Sequence, residues 1–325
     1  MADKNILLSE GELLVSSSPH IRAEETVDWL MWQVVIALLP AAISSVYFFG
    51  FRSLFLMVLG VATAVLTEAA VEKALGKEIT IKDGSAAVTG LLLAFNVPAN
   101  APWWLVVLGA IFAIAVVKQT FGGLGYNFVN PALTARAFLL AAWPQYLAGN
   151  FPLPLDTITG ATPLAILDGT AAGTLPSYLD LFLGNVGGVL GETSALALLV
   201  GGLYLIWQKV IDWRTPVAFI GTVAVLSWAF GGNGGLFTGD PLYHVLAGGL
   251  MLGAFFMATD YVTSPVTPKG RLGFGVGCGI ITVLIRLWGG YPEGVAYSIL
   301  LMNLLVPFLE RWTAPRVYGT KSAQA

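Results

Sequence analysis

The chain has 325 residues, of which 56% are hydrophobic and only 11% are charged. Soluble domains carry about 25% charged residues, so this chain has too few charges to cover a water-facing surface. The composition therefore excludes a soluble globular protein and predicts an integral membrane protein. The net charge of −3 gives no indication of a nucleic-acid partner.

The N-terminal segment, residues 1–28, is mixed polar and carries glutamates at positions 10, 12, 24 and 25. A cleavable signal peptide would instead place a short apolar core near residue 10, with small residues after it. We therefore predict that residues 1–28 form a cytoplasmic arm.

Ten apolar runs follow, and most of them are long enough to cross a hydrocarbon core of about 30 Å. They cover residues 29–49, 53–71, 85–97, 102–118, 131–143, 193–209, 216–230, 242–259, 272–289 and 294–310. The runs at 85–97 and 131–143 would span only about 20 Å at about 1.5 Å per residue. We predict that these two are broken or tilted helices that end inside the protein, surrounded by protein or a cavity.

Lysine and arginine are distributed unevenly between alternate loops. With the N-terminus inside, the cytoplasmic segments hold Lys4, Arg22, Lys73, Lys77, Lys82, Lys118, Lys209, Arg214, Lys269, Arg271, Arg311, Arg316 and Lys321. The outside loops hold only Arg52, while Arg136 and Arg286 fall within spans. Cytoplasmic loops are enriched in Lys and Arg, so this pattern predicts ten spans with both termini in the cytoplasm.

The longest loop, residues 144–192, then faces outside. It contains no Lys or Arg and is rich in Pro, Gly, Thr and Asp, so we predict an extracytoplasmic segment rather than a tight turn. The predicted organisation is a first five-helix membrane unit over 29–143, this loop, a second five-helix unit over 193–310, and a cytoplasmic tail over 311–325.

The two membrane units resemble each other weakly. Residues 83–95 and 239–254 each place an acidic residue before a short helix rich in Gly and Leu, and residues 118–123 resemble residues 286–290. Five spans per unit force opposite orientations, so we predict an all-α fold of two inverted repeats with the functional site near their interface. The alternative interpretation is that any two Gly-rich membrane segments look alike.

The outside loop contains a short motif that could carry chemistry. It consists of Asp156, Thr157, Ile158, Thr159, Gly160, Ala161 and Thr162, followed by Pro163. As structure alone this is a turn, in which Asp156 accepts backbone N–H bonds, Gly160 permits a positive φ and Pro163 closes the segment.

The same residues resemble a modification site. The pattern Asp-x-x-Ser/Thr-Gly-Ala-Ser/Thr is similar to the motif on which flavin transferases attach FMN to a hydroxyl through a phosphodiester. The acceptor would be Thr162, and we expect its hydroxyl to be exposed and free of helix. The small residues Gly160 and Ala161 would let the phosphate approach, and Asp156 and Thr159 complete the motif.

Further segments resemble one family. They are residues 18–20 (Ser-Pro-His), 122–138, 258–265 (Ala-Thr-Asp-Tyr-Val-Thr-Ser-Pro) and 289–294 (Gly-Gly-Tyr-Pro-Glu-Gly). Over essentially the whole chain the sequence resembles RnfD, and more distantly NqrB, which are membrane subunits of ion-pumping electron-transport complexes. The short N-terminal arm favours RnfD. Thr159 stands where these subunits usually have Ser, a change that the transferase motif accepts.

The resemblance implies an electron-relay subunit, with FMN linked covalently to Thr162 as a phosphoryl threonine. It implies part of a translocase of the bacterial cytoplasmic (inner) membrane that couples electron transfer between ferredoxin and NAD⁺ to Na⁺ or H⁺ export. The implied partners are an FMN-bearing extracytoplasmic subunit, iron–sulfur membrane subunits, and subunits that react with NADH and ferredoxin, neither of which this chain would bind. The rival functions are a stand-alone solute channel or transporter and a structural scaffold, which leave the Thr162 motif unexplained.

Other polar residues within the spans are further candidates. Arg136 lies in a short run, where a mid-membrane charge costs about 2.5–3.5 kcal/mol; it could contact a flavin phosphate or a carboxylate, or anchor to lipid headgroups. Asn127 and Asn130 follow a Gly-rich break that includes Gly122 and Gly123. This segment could hold a second, noncovalent flavin, as the resemblance suggests, could coordinate Na⁺, or could simply be a turn with an Asn cap.

Five remaining residues also have purely structural interpretations. Glu68 and Asp260 are candidates for the ion path, although each could equally lie near a helix end. Cys278 is predicted to be a small buried hydrophobe, because a single cysteine cannot form an internal disulfide. His20 and His244 are far apart in sequence and are predicted to be core or surface residues.

Overall fold

The computed structural model describes residues 25–147, 151–153, 159–232, 235–290 and 293–315. The first half of the chain forms α1 (Val27–Phe49), α2 (Phe51–Ala74), α3 (Ser85–Phe95), α4 (Trp103–Ile111) and α5 (Pro131–Ala142). A 3₁₀ turn at Ile81–Asp83 precedes α3, and α4 continues as a π-helix over Phe112–Gln119. The Gly-rich break predicted after residue 118 is confirmed, since regular helix stops at Gln119 and resumes at Pro131.

The segment between the two helical halves contains short elements that the apolar pattern does not predict. They are α6 (Pro144–Leu147), β1 (Phe151–Pro152), β2 (Thr159–Gly160), α7 (Pro163–Leu167) and α8 (Tyr178–Leu183). β1 and β2 pair antiparallel, with Phe151 opposite Gly160. Each element is too short to give a periodic apolar signal.

The second half forms α9 (Ala195–Trp207), α10 (Arg214–Phe230), α11 (Pro241–Leu246), α12 (Leu250–Leu252), α13 (Pro268–Trp288) and α14 (Val295–Thr313). A π-helix over Gly253–Met257 continues α12. The sequence predicts one run over 242–259, but the structure breaks it at residues 247–249. Gly248 has φ +72, and an added Cβ there would lie 2.7 Å from Leu164 Cδ1, so the bend brings the chain close to α7.

Helix ends follow local signals in the sequence. Thr26 caps α1 by accepting from Trp29 N (3.2 Å), and the helix ends at Gly50, which has φ +74. The Asn130–Pro131 and Thr267–Pro268 pairs begin α5 and α13, each with a polar cap followed by proline in the first turn.

Four of the described helices, α1, α2, α13 and α14, are long and apolar enough to cross a membrane. Shorter apolar helices cover Ser85–Phe95, Trp103–Gln119, Pro131–Ala142, Ala195–Trp207 and Arg214–Phe230. Many large apolar side chains of these helices point outward, such as Ile43, Phe51 and Trp312. The fold is therefore that of a mostly helical membrane protein.

The two halves of the chain pack against each other through two pairs of helices. α1 packs against α9, and α5 packs against α14. Within the halves, α2 packs on α3 and α4, while α10 packs on α11 and α13. A large apolar core runs through both halves and includes Leu38, Leu93, Leu133, Phe274 and Ile299. A second, smaller apolar cluster of the described residues surrounds Leu164. Cys278 is buried in this core as a free thiol, as predicted.

Candidate functional site

Thr162 lies between β2 and α7 and caps that helix. Its Oγ1 accepts a hydrogen bond from Ala165 N (3.3 Å), and the residue is only 7% exposed. The expectation of an exposed hydroxyl free of helix is therefore wrong. The same local pattern, Thr followed by Pro, is a capping signal, and it turns the side chain inward.

Thr162 faces a cavity of about 360 Å³, which falls within the range of about 300–1,000 Å³ common for small-molecule sites. Its apolar lining residues include Ala137, Leu140, Leu147, Phe151, Ala161 and Ala165. Its polar lining residues include Arg136, Glu192, Glu293 and Tyr297. A largely apolar lining with a few polar groups is usual for a cofactor site.

Arg136 projects from α5 into this cavity and pairs with Glu293, at the start of α14. It also donates to Asn96 Oδ1 (2.9 Å), at the end of α3. Of the alternatives for Arg136, the structure shows the contact with a carboxylate. Arg136 on α5 therefore contacts both the end of α3, through Asn96, and the start of α14, through Glu293.

A second buried arginine lies behind this pair. Arg286, on α13, donates to His244 O (2.5 Å) and Ala247 O (3.2 Å), which are carbonyls freed where α11 ends. His244 is buried in the core, as one of its predicted alternatives states. Burial raises the pKa of Asp168, which follows α7, and the charge of Arg286 partly opposes that rise.

Glu192 is the site residue that the sequence did not reveal. It precedes α9 in a buried segment that pairs with the unwound chain after α3, through Gly191 N to Phe95 O (2.9 Å) and Leu190 N to Val97 O (3.1 Å). Its Oε1 accepts from Val189 N (3.2 Å). Glu293 belongs to the Gly-Gly-Tyr-Pro-Glu-Gly segment over 289–294, and the family resemblance of that segment was the available signal for it.

The predicted motif is only partly assembled around Thr162. Ala161 lines the cavity and Pro163 begins α7. Gly160 lies in β2 rather than in a positive-φ turn, and a Cβ there would lie 3.1 Å from Leu153 Cδ2. Thr159 pairs with Pro152 through the backbone, and Asp156 lies outside the described residues.

Asn127 and Asn130 lie elsewhere, with Lys118, Ser85 and Asp260 around a separate cavity of about 80 Å³. Asn130 caps α5 by accepting from Ala132 N (3.1 Å) and Leu133 N (3.2 Å). A second flavin would require the lining side chains to move apart, and it stays a prediction. Gly122 and Gly123 have positive φ and line a neighbouring opening rather than this cavity.

Glu68 is buried and takes part in a polar cluster next to the Asn130 cavity. Its Oε1 accepts from Lys118 Nζ (2.6 Å) and from Gln119 Nε2 (3.0 Å). Lys118 also donates to Ser85 Oγ (2.6 Å). Glu68 is only 1% exposed, and its part in an ion path stays a prediction.

The chain is similar to proteins of one family. Residues 14–319 match the family described as NQR2, RnfD, RnfE. The D subunit of the Na(+)-translocating ferredoxin:NAD(+) oxidoreductase complex of Acetobacterium woodii is 55% identical over 315 residues, which cover 96% of this chain and 97% of that protein.

Two further relatives carry related names. The D subunit of the proton-translocating ferredoxin:NAD(+) oxidoreductase complex of Clostridium ljungdahlii is 49% identical, over 94% of this chain and 96% of that protein. The D subunit of an ion-translocating oxidoreductase complex of Stutzerimonas stutzeri is 41% identical, over 90% and 92%. With this coverage and identity, the chain belongs to the NQR2, RnfD and RnfE family.

Proposed function

We propose that this chain is a membrane electron-relay subunit that carries FMN in phosphodiester linkage to Thr162. The complex around it would couple electron transfer between reduced ferredoxin and NAD⁺ to Na⁺ or H⁺ translocation, as the names of its relatives state for theirs. The observation that carries the proposal is that the acceptor residue of a flavin-attachment motif lines a cavity of cofactor size.

The residues around Thr162 suit a tethered flavin. Attachment would join the phosphate of FMN to Thr162 Oγ1 with the net loss of one water, and the tethered ring would supply the chemistry of a two-electron carrier at this position. Leu140, Leu147 and Phe151 offer apolar surface to a ring system. Because Arg136 is engaged by Glu293, this pair would border the flavin rather than neutralise its phosphate.

The proposed topology has ten spans in two inverted repeats, with both termini cytoplasmic and Thr162 on the outer side of the bacterial inner membrane. The four long and five shorter apolar helices of the described chain, together with the broken α11–α12 segment, would supply ten crossings. The packing of α1 on α9 and α5 on α14, with matching neighbours for α2 and α10, supports a two-fold relation between the repeats.

The energetics permit coupling of one ion to an electron pair. Moving one charge against 100 mV takes about 2.3 kcal/mol, and about 30 mV across a two-electron couple corresponds to about 1.4 kcal/mol. A drop of about 50 mV over two electrons therefore supplies enough free energy. The proposed partners are the other Rnf-type subunits, and binding of NADH and ferredoxin is assigned to them.

Replacement of Thr162 by Ala tests the attachment. We expect the wild-type chain, produced with a flavin transferase, to show flavin fluorescence on a denaturing gel and a mass increase of one FMN less water. Thr162→Ala should lose both, because the linking oxygen is gone. Thr170→Ala is the matched control: Thr170 lines the same cavity and donates to Ala165 O, so this variant should keep the flavin.

The rival functions make different predictions for the same experiment. A solute channel or transporter carries no bound flavin in any variant. A structural scaffold that happens to carry flavin keeps full electron transfer in Thr162→Ala complexes. Either result would contradict the proposed relay.

A further inference from the structure

Two carboxyl groups meet beside the Thr162 cavity. Glu192 Oε1 accepts from Val189 N, and Glu293 Oε2 accepts from Arg136. The other two oxygens, Glu192 Oε2 and Glu293 Oε1, are buried and receive no hydrogen bond from the described residues. The two carboxyl groups lie within hydrogen-bonding reach of each other.

Both bare oxygens face the break between α11 and α12. A Cβ added at Gly248 would lie 3.3 Å from Glu293 Oε1, and one added at Gly249 would lie 3.2 Å from Glu192 Oε2. Leaving a buried acceptor unsatisfied is unfavourable, and more so if the acceptor is charged. A single proton between the two oxygens would satisfy both.

The charged groups that act on the pair are Arg136 on α5 and Arg286 on α13. Tyr297 on α14 lines the same cavity, while His244 on α11 and Asp168 after α7 lie near Arg286. Arg136 is engaged by Glu293, and Arg286 by two carbonyls. Among the described residues none of these groups donates to the bare oxygens, so the proton is the missing donor.

A metal cation fits these oxygens less well than a proton does. Hard cations such as Ca²⁺ and Mg²⁺ take six or more oxygen ligands, whereas two bare side-chain oxygens meet here. Within the described ranges, His, Cys, Asp and Glu do not form a group of three that could hold a metal ion.

We propose that Glu192 and Glu293 share one proton, so that the pair carries a net charge of −1 and that charge stays beside Arg136. The neutral Glu192 donates this proton to Glu293, which keeps its ion pair with Arg136. The position of the pair beside a tethered flavin rests on the proposed function, whereas the shared proton itself does not.

Glu192→Gln is the informative variant. A Gln at this position can keep its carbonyl oxygen on Val189 N and turn its NH₂ toward Glu293 Oε1, so it imitates the singly protonated pair without breaking the Arg136–Glu293 contact. In the full-length chain, we expect infrared spectra to show a protonated-carboxyl band that Glu192→Gln removes, because the shared proton is then gone. Asp180→Asn, a surface change on the proposed outer segment, should keep the band.

The same comparison in a Thr162→Ala background, which lacks the attachment oxygen, separates this inference from the proposed function. The protonated-carboxyl band should be present there and should again disappear in Glu192→Gln. A band that persists unchanged in Glu192→Gln, or no such band in the unsubstituted pair, overturns the shared proton. A band that disappears when Na⁺ is added at constant pH assigns the pair to sodium and also overturns it. Absence of flavin on wild-type Thr162 defeats the proposed function alone, because the infrared result does not depend on the cofactor.

Discussion

Arg136 and Glu293 form an ion pair in the lining of the Thr162 cavity. Their side chains are 13% and 18% exposed, and Asn96 accepts a further hydrogen bond from Arg136. A buried pair is weak support for net stability, but removal of one partner leaves an uncompensated charge, which costs about 3–5 kcal/mol. The pair therefore makes the junction of α3, α5 and α14 sensitive to single substitutions.

Arg136→Gln should lower the free energy of unfolding by about 3–5 kcal/mol. The measurement is reversible denaturation of the detergent-solubilised chain. The double variant Arg136→Gln/Glu293→Gln should recover part of the loss, because two neutral amides can bond to each other. Arg311→Gln is the control, since this exposed arginine on α14 should change stability by less than about 0.5 kcal/mol. Equal losses in the single and double variants would show that the ion pair is not the cause.

For individual residues of the site, the sequence was informative only where neighbouring residues in the chain form the pattern. The motif that ends at Thr162 is contiguous, and Arg136 stands out as a charge inside an apolar run. The partner of Arg136 lies 157 residues further along the chain, and no local pattern encodes that distance. Glu192 was missed because its segment has the composition of a polar loop, although it folds inward against the chain after α3.

Helix boundaries were predictable because the length of an apolar run directly reflects the hydrocarbon thickness. Each of the ten runs overlaps a helix in the structure, and the short run at 85–97 contains α3, which covers Ser85–Phe95. The break inside 242–259 was not predicted, since Gly248 and Gly249 continue an apolar composition. Only the contact with α7 and the hydrogen bonds to Arg286 show why the helix stops there.

The α1–α9 contact depends on one glycine at a close backbone approach. A Cβ added at Gly201 would lie 2.0 Å from Ala37 O, which is impossible without separating the two helices. Gly201→Ala should therefore destabilise the protein by about 1–3 kcal/mol, as overpacking does. Thermal unfolding of the detergent-solubilised chain measures the loss. Small residues allow such approaches between membrane helices.

Gly221, in the middle of α10, is the matched control for Gly201. A Cβ there would meet no atom within 4 Å, and alanine is the better helix former. Gly221→Ala should be neutral or slightly stabilising in the same thermal unfolding measurement. If Gly201→Ala were as stable as Gly221→Ala, the α1–α9 packing would have to differ from the structure.

At the scale of the whole molecule, positive charges are concentrated in particular loops. The loops after α9 and after the second π-helix, with the first turns of the helices that follow them, carry Lys209, Arg214 and Arg271, and Asp212 accepts from both arginines at 2.7 and 2.9 Å. Burial tends to raise the pKa of Asp212, but hydrogen bonds from Arg214 and Arg271 outweigh that tendency and hold it below its usual value. The segment that carries Thr162 has no such charges. This asymmetry is the physical basis of the proposed orientation.

Cysteine labelling tests that orientation directly, because the natural chain has no exposed cysteine that could react with the label. The chain contains one cysteine, Cys278, which is fully buried. Leu175→Cys introduces a thiol on the proposed outer segment, where the residue is 53% exposed, and Val266→Cys introduces one on the proposed inner loop, where it is 70% exposed. In right-side-out vesicles, a membrane-impermeant maleimide should label Leu175→Cys at once and Val266→Cys only after permeabilisation. The opposite order would put Thr162 in the cytoplasm. Labelling of both variants at equal rates would show that no membrane barrier separates the two loops. Either outcome would contradict the placement of the flavin motif at the outer surface, on which the electron-relay proposal depends.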